Sequence, residues 1–299
     1  MNQPELGKKI AELRKAKGLT QEELVSKCNV TVRTLQRIES GDKLMITQPD
    51  HMNRIIKTFF LLLLGLFNIA GQGQDYHDTI KISKDLELLK ISDNAYVHIS
   101  YADLPVYGRI SANGLIFINN KTAYLFDTPW TDSLTMTLVT FLESNMKLKI
   151  TGFVPNHWHN DCMGGLGYLQ GRMIDSYANQ MTIDIARSKN LPVPAHGFKD
   201  SLQLFLGEKV IDCYYLGAAH SLDNIVIWIP SEKILFPGCM IKSLSSVNLG
   251  NIADGDMNSY PKTIDKLILK FRNAKIVIPG HGQPGNSDLL MHTRNLLKK

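Results

Sequence analysis

The sequence has no low-complexity tract and no internal repeat of solenoid length, which sets aside fibrous and repeat architectures. An excess of either charge is also missing. The net charge is +5, and residues 72–299 carry 22 Lys and Arg against 21 Asp and Glu. That near-neutral body has no electrostatic case for binding nucleic acid. Cysteine is scarce, with only Cys28, Cys162, Cys213 and Cys239. If the chain is processed near residue 70, three remain, an odd number for a disulfide framework. At least one thiol then has another job or none. With 44% apolar and 20% charged residues, 299 residues suffice for one large domain or two smaller ones.

Long apolar runs are absent with one exception. The stretch HMNRIIKTFFLLLLGLFNIAGQGQ, from His51, has a short basic lead in Arg54 and Lys57 and is apolar to about Ala70. Small and polar residues take over at Gly71. Charge, then apolar, then small is the order of a secretory signal. A buried soluble helix does not fit, because Phe59 to Phe67 is apolar all round. A membrane anchor needs about 20 apolar residues, and Asn68 cuts this run short. The pattern predicts a signal peptide over 52–73, cleaved between Ala70 and Gln74, and hence a periplasmic body. No Cys follows the run, so no lipid anchor is indicated. Contact with a membrane would come only through this segment left uncleaved. Met52 stands just before the basic lead, where an initiator belongs.

Residues 1–44 read as helices with punctuation. Leu6, Ile10 and Leu13 share one helical face. Thr20 opens a second helix, with Glu23 three residues on as in a capping box. The turn at Cys28-Asn29-Val30 leads to a third helix from about Thr31 to Ser40, stopped by Gly41. This all-α segment resembles the helix-turn-helix of phage-repressor-type DNA-binding proteins. The resemblance implies that Thr31, Val32, Arg33 and Gln36 face bases or phosphates. It covers about 40 residues and looks truncated, because a linker (45–51) and the signal stand where further helices belong.

The body, 74–299, opens with the alternating runs LELLKI, AYVHIS, LIFINN and TAYLF, which predict strands. Helices are predicted near 131–145, 179–189 and 257–271, which gives an α/β or α+β layered fold. At the end of the strand-like ITGFVP come His157, His159 and Asp161, at strand-like spacing that aims three donors the same way. His220 stands just before another apolar run, Cys239 follows ILFPG, and His281 lies between two glycines after KIVIP. Each is at a strand-to-loop junction, where rigid scaffolds carry functional groups. Cys213, in VIDCYYL, reads as a core residue. His51, His77, His98, His196 and His292 lack this context and read as structural or exposed.

Taken together, HWHNDCMGGLGYLQ, YANQMTIDIA and the downstream donors resemble the metallo-β-lactamases, specifically the two-zinc subclass. The resemblance covers residues 80–297 and implies a four-layer αββα sandwich. It implies two zinc ions, one held by His157, His159 and His220 and the other by Asp161, Cys239 and His281. It implies hydrolysis of the β-lactam amide of penicillins, cephalosporins and carbapenems by a metal-bound hydroxide, with Asp161 and Asn251 in the catalytic machinery. Lys242 would bind the substrate carboxylate, and Asn251 would polarise the lactam carbonyl. The loop ADLPVYGRISANG corresponds to a flap touching substrate through Leu104, Pro105, Val106 and Tyr107. Asp127 would orient a metal ligand. Cys162 follows Asp161, where other members can carry Arg.

Two rival readings stay in view. A thioester or nucleic-acid hydrolase of the same fold, similar to glyoxalase II or the tRNA-processing nucleases, would follow Asp161 with a histidine; Cys162 stands there. A DNA-binding regulator would rest on the first 44 residues alone. The enzyme reading expects a monomer.

Overall fold

The computed structural model describes residues 3–16, 20, 21, 25, 31–40, 78–105 and 107–298. They fall into two compact units divided between Gly73 and Gln74. The expected linker (45–51) and signal (52–73) lie outside the described residues, as do Val106, His51, His77 and Cys28. No helix among the described residues is long and apolar enough to cross a membrane.

In the smaller unit, α1 (Gln3–Ala16) and α2 (Val32–Ser40) bury Ile10, Leu35 and Ile38. A Cβ on Gly7 would stand 1.9 Å from the Ile38 carbonyl oxygen, so this close approach requires glycine. Arg14 donates twice to Glu39, at 2.7 and 3.0 Å, and Gln21 donates to the same carboxylate at 2.8 Å. Burial works to raise the Glu39 pKa, but these bonds outweigh it and hold the carboxyl below its usual range. The Thr31 hydroxyl accepts from the Thr34 N–H at 3.3 Å, which caps α2. Of the expected second helix, only residues 20, 21 and 25 are described.

In the larger unit, β1 (Thr79–Ser83), β2 (Leu86–Ser92), β3 (Ala95–Leu104), β4 (Gly108–Asn119), β5 (Thr122–Phe126) and β6 (Lys149–Val154) form one sheet in sequential order. It is antiparallel except for the β5–β6 pair, which α3 (Asp132–Ser144) connects. The short α4 (Asn160–Met163) and α5 (Leu166–Gly171) follow, then β7 (Tyr177–Asn179), α6 (Gln180–Ser188) and β8 (His196–Phe198), with β7 and β8 paired separately. The second sheet runs β13 (Ile276–Pro279), β12 (Ile234–Gly238), β11 (Val226–Ile229), β10 (Lys209–Tyr214), β9 (Ser201–Leu206). Helices α7 (Tyr260–Lys270) and α8 (Asp288–Leu296) complete the chain.

Period-two alternation of apolar residues builds four layers from two sheets. Leu115 and Phe117 of β4 face a shared inner core with Ile227, Ile229, Phe236 and Ile278 of the other sheet. Their neighbours Ile116 and Ile118 face outward, onto Leu138 and Leu142 of α3 and Leu166 of α5. On the opposite side Val226, Trp228, Leu235 and Val277 meet Tyr260, Ile264 and Leu267 of α7 and Leu290 of α8. Both faces of the central strands are buried, so they read as continuous apolar runs. The result is the αββα sandwich. Cys213 faces the inner core.

The flap is a different object from the expected loop. β3 and β4 stay paired as far as Leu104↔Gly108, so ADLPVYGRISANG is the end of a long hairpin, with its turn between those residues. The glycines account for the difference. Gly108 has φ +69 and serves the turn, but Gly114 sits within β4. A Cβ on Gly114 would lie 2.0 Å from His98 Nε2, so its role is close packing rather than a bend.

Candidate metal centre

One edge of the sandwich gathers the ends of several strands. After β6 the chain turns through Asn156, whose N–H donates to buried Asp127, and presents His157, His159 and, within α4, Asp161. His220 precedes β11, Cys239 immediately follows β12, and His281 lies two residues beyond β13. All six predicted donors meet there.

The imidazoles of His157, His159 and His220 stand edge-to-face, with centroids 4.5, 5.0 and 5.3 Å apart. His157 Nε2 and His159 Nδ1 are 2.9 Å apart. His159 Nε2 donates to Asp254 at 3.0 Å, which leaves Nδ1 its lone pair. Asp161, Cys239 and His281 place one donor atom each within 4.8 Å of one another. His281 Nδ1 donates to the Ser111 carbonyl at 2.6 Å, and its Nε2 lies 3.4 Å from Cys239 Sγ and 3.2 Å from Asp161. Two further sets within the same limit, His157–His220–Cys239 and His157–Asp161–Cys162, overlap these. The donors thus form one continuous cluster.

Burial and charge divide that cluster into two characters. Burial drives the His157 pKa well below its ordinary value, and burial with Lys242 nearby brings His220 to about 3, so both rings are neutral. Burial opposes ionisation of Asp161, but the His281 hydrogen bond and the neighbouring imidazoles hold its carboxyl far below the usual range. The Cys162 hydrogen bond lowers the Cys239 thiol against the penalty of burial. His281 is raised despite burial, because it faces Cys239 and Asp161. Three imidazole nitrogens beside a thiolate, a carboxylate and a further imidazole fit borderline cations such as zinc.

A cavity of about 680 Å³ opens over the cluster. Lys242, only 9% exposed, lines it, its backbone N–H fixed on Thr293 Oγ1 at 2.8 Å. Asn251 lies exposed at the rim, its side-chain oxygen accepting from the Ala253 N–H at 3.1 Å. Leu104 and Tyr107 of the hairpin line the cavity, and Tyr107 is 60% exposed. In the smaller unit Arg33 is exposed, Val32 is half-buried, and Gln36 donates to Gln21 at 3.1 Å. Thr31 is spent on capping α2.

Asp127 acts on the site mainly through the backbone. Its carboxylate takes the Asn156 N–H, and its carbonyl accepts from His98 Nε2 at 3.0 Å, so it fixes the turn that leads into His157. The histidine partner is instead Asp254, a few residues beyond Asn251, which no period or spacing in the sequence marks. Cys162 is buried with Sγ 3.2 Å from His157 Nδ1, so it joins the cluster rather than merely following Asp161. Asn113 is a further functional residue that sequence patterning does not reveal. Its side-chain amide donates to the Pro279 and Gly282 carbonyls at 2.8 and 2.7 Å, holding the turn that carries His281. His292 donates to the Ser246 carbonyl at 2.8 Å, and His196 stacks on Tyr177.

Comparison with known proteins agrees with this geometry. The chain is 47% identical to a type 2 metallo-beta-lactamase of Bacteroides fragilis over 244 residues, 82% of this chain and 97% of the relative. It is 32% identical to the type 2 metallo-beta-lactamase of Bacillus cereus, over 71% of this chain and 83% of that one. The solved metallo-beta-lactamase from Pontibacter korlensis superposes with a TM-score of 0.69 at 34% identity, covering 72% of this chain and 99% of the other. The chain belongs to the metallo-beta-lactamase family, in its type 2 branch. A 244-residue match is longer than residues 74–299, so the likeness to the Bacteroides fragilis protein reaches back into the apolar segment. A helix-turn-helix family model matches residues 10–59 and overlaps that same segment.

The Asn113 staple yields a direct test. Asn113→Ala removes both side-chain bonds and leaves one buried and one half-buried carbonyl without them. It should cost about 1–3 kcal/mol in urea unfolding. An unchanged midpoint would show that the staple contributes nothing.

Proposed function

We propose that residues 74–299 form an exported zinc enzyme that hydrolyses the β-lactam amide bond of penicillins, cephalosporins and carbapenems, conferring resistance to them. One observation carries this reading: two adjoining donor sets, three imidazoles and Asp161–Cys239–His281, open on a cavity that holds a buried lysine. Membership of the family supports the reaction class. The thiol donor Cys239, with Cys162 directly after Asp161, weighs against the thioester and nuclease alternatives.

His157, His159 and His220 would hold one zinc, and Asp161, Cys239 and His281 a second. Bound zinc supplies a Lewis acid and brings the ionisation of water to about pH 7. Asp254 keeps His159 in the tautomer whose Nδ1 faces the cluster, and Ser111 does the corresponding service for His281 through Nδ1. Lys242 binds the carboxylate of a bicyclic β-lactam in a place with little water, where a charge-assisted bond is strong. Asn251, at the rim, turns its amide toward the lactam carbonyl once substrate releases it from Ala253. Leu104 and Tyr107, which line the cavity, would cover the apolar side of the substrate.

The signal over 52–73 would export this body to the periplasm. Residues 1–51 resemble an incomplete DNA-binding unit, for which an exported enzyme has no use. The working enzyme is therefore independent of them, its own start being Met52. The match to the Bacteroides fragilis protein, which runs back into the apolar segment, supports this.

Three outcomes are expected. A chelator should abolish hydrolysis and added zinc restore it, with His157→Ala weakening the imidazole set and Cys239→Ser the other; activity surviving complete metal removal would end the mechanism. Lys242→Glu should raise KM and cost about 1.5–3 kcal/mol in kcat/KM, the worth of a charge-assisted bond. Unchanged kinetics would refute the assigned pose. Chains starting at Met1 and at Met52 should be compared for periplasmic lactam hydrolysis and mature N-terminus. The shorter chain should export equal or greater activity, and a requirement for residues 1–51 would contradict the proposal.

A further inference from the structure

Behind the imidazole set lies a carboxylate with no cation beside it. Asp223 is fully buried. Its Oδ2 accepts from the Trp158 N–H at 3.0 Å and from the Thr182 hydroxyl at 2.7 Å, and its Oδ1 accepts from the Ser221 hydroxyl. Trp158 stands between His157 and His159, Ser221 follows His220, and Thr182 belongs to α6. One carboxylate thus ties both histidine-bearing loops to a rigid helix. Adjacent bonds reinforce the tie: the Ser221 N–H donates to Asn224 at 2.9 Å, and the Ile225 N–H donates to the Asn156 carbonyl at 2.9 Å. Among the described residues, no lysine, arginine or histidine pairs with Asp223.

The partners fix its charge state. All three neighbours donate, and an ionised carboxylate accepts from all of them, whereas a protonated one would have to turn its hydrogen on one. Burial raises the Asp223 pKa, and the Ser221 and Thr182 bonds oppose that rise. A buried carboxylate without a cation costs several kcal/mol. Three neutral imidazoles leave a divalent ion its full charge, the complement that this carboxylate lacks. We infer that Asp223 is a positioning residue for the imidazole set, holding the loops of His157, His159 and His220 in register and supplying the buried counter-charge to the cation they bind. This rests on the metal-binding reading above. It predicts an asymmetry, because Asp223 braces the imidazole loops and touches neither Cys239 nor His281.

Cobalt(II) titration of the full chain separates the two sets. A thiolate-to-cobalt charge-transfer band reports Cys239, and the ligand-field bands report the imidazole set. Asp223→Asn keeps the shape and removes the charge. It should raise the cobalt dissociation constant of the imidazole set about 10- to 100-fold, while the charge-transfer band titrates as in the wild type. Equal weakening of both sets, or of neither, overturns the inference. A wild-type chain that takes up no cobalt overturns the metal reading and this inference with it. If Asp223→Asn fails to fold, Thr182→Val removes one donor from the same carboxylate. It should weaken the imidazole set alone by a smaller factor, and no selective loss would likewise overturn the inference.

Discussion

The site depends on a set of hydrogen bonds that cross from one sheet to the other. Apolar burial between the sheets is large but non-directional, so it brings the layers together without fixing how far one slides on the other. Polar staples at the site edge supply that registration. The Asn113 N–H donates to the Gly280 carbonyl at 2.8 Å while its side chain takes Pro279 and Gly282. His281 reaches Ser111, and the Asn156 amide donates to the Phe236 carbonyl at 3.3 Å. At another place along the sheets Asn119 donates to the Leu206 carbonyl at 2.8 Å, and Asn94 to Glu232 at 2.8 Å. Each staple is an asparagine or histidine whose polar atoms would be costly to bury unpaired, so a slide of the sheets breaks several bonds at once.

What the sequence made legible follows from this division. Strands β2 to β6 and helices α3, α6 and α7 show in apolar periodicity, because burial acts on each element separately. The six donors show because His, Asp and Cys at strand ends announce their chemistry without reference to a partner. Asp254, Asn113 and Asp223 carry no such mark. Their importance lies in what they touch across 95, 169 and 65 positions of sequence, as with His159, Gly282 and Trp158. Asp127 stands out in the sequence for its place at a strand end, and its carboxylate takes a backbone N–H as well as a bond from Cys162. The flap shows the limit of punctuation: a glycine that admits His98 looks the same in sequence as one that makes a turn.

The amino-terminal unit poses a different physical question. Its two described helices share a small apolar contact and a forked Arg14–Glu39 pair. The helix-turn-helix match extends to residue 59, and the match to the Bacteroides fragilis enzyme also enters the apolar segment. The same residues are therefore claimed by two patterns. A helix of a DNA-binding core and the apolar stretch of a signal share their composition, because both require a helical run of apolar residues. The physical contexts differ: one buries a stripe against sister helices, and the other needs an apolar surface all round. The run from Phe59 to Phe67 has no polar face, which favours the second demand over the first.

The contrast between the two donor sets is the last consequence of the scaffold. His157 and His220 are buried where charge is expensive, so they stay neutral and accept a cation without first losing a proton. Asp161 and Cys239 bring negative charge to the neighbouring set, with Lys242 close enough to feel both. Burial lowers the Lys242 pKa, and the Cys239 and Asp161 charges oppose that shift. The spacing of ligands alone does not give this contrast; it needs the low-dielectric edge where the two sheets meet.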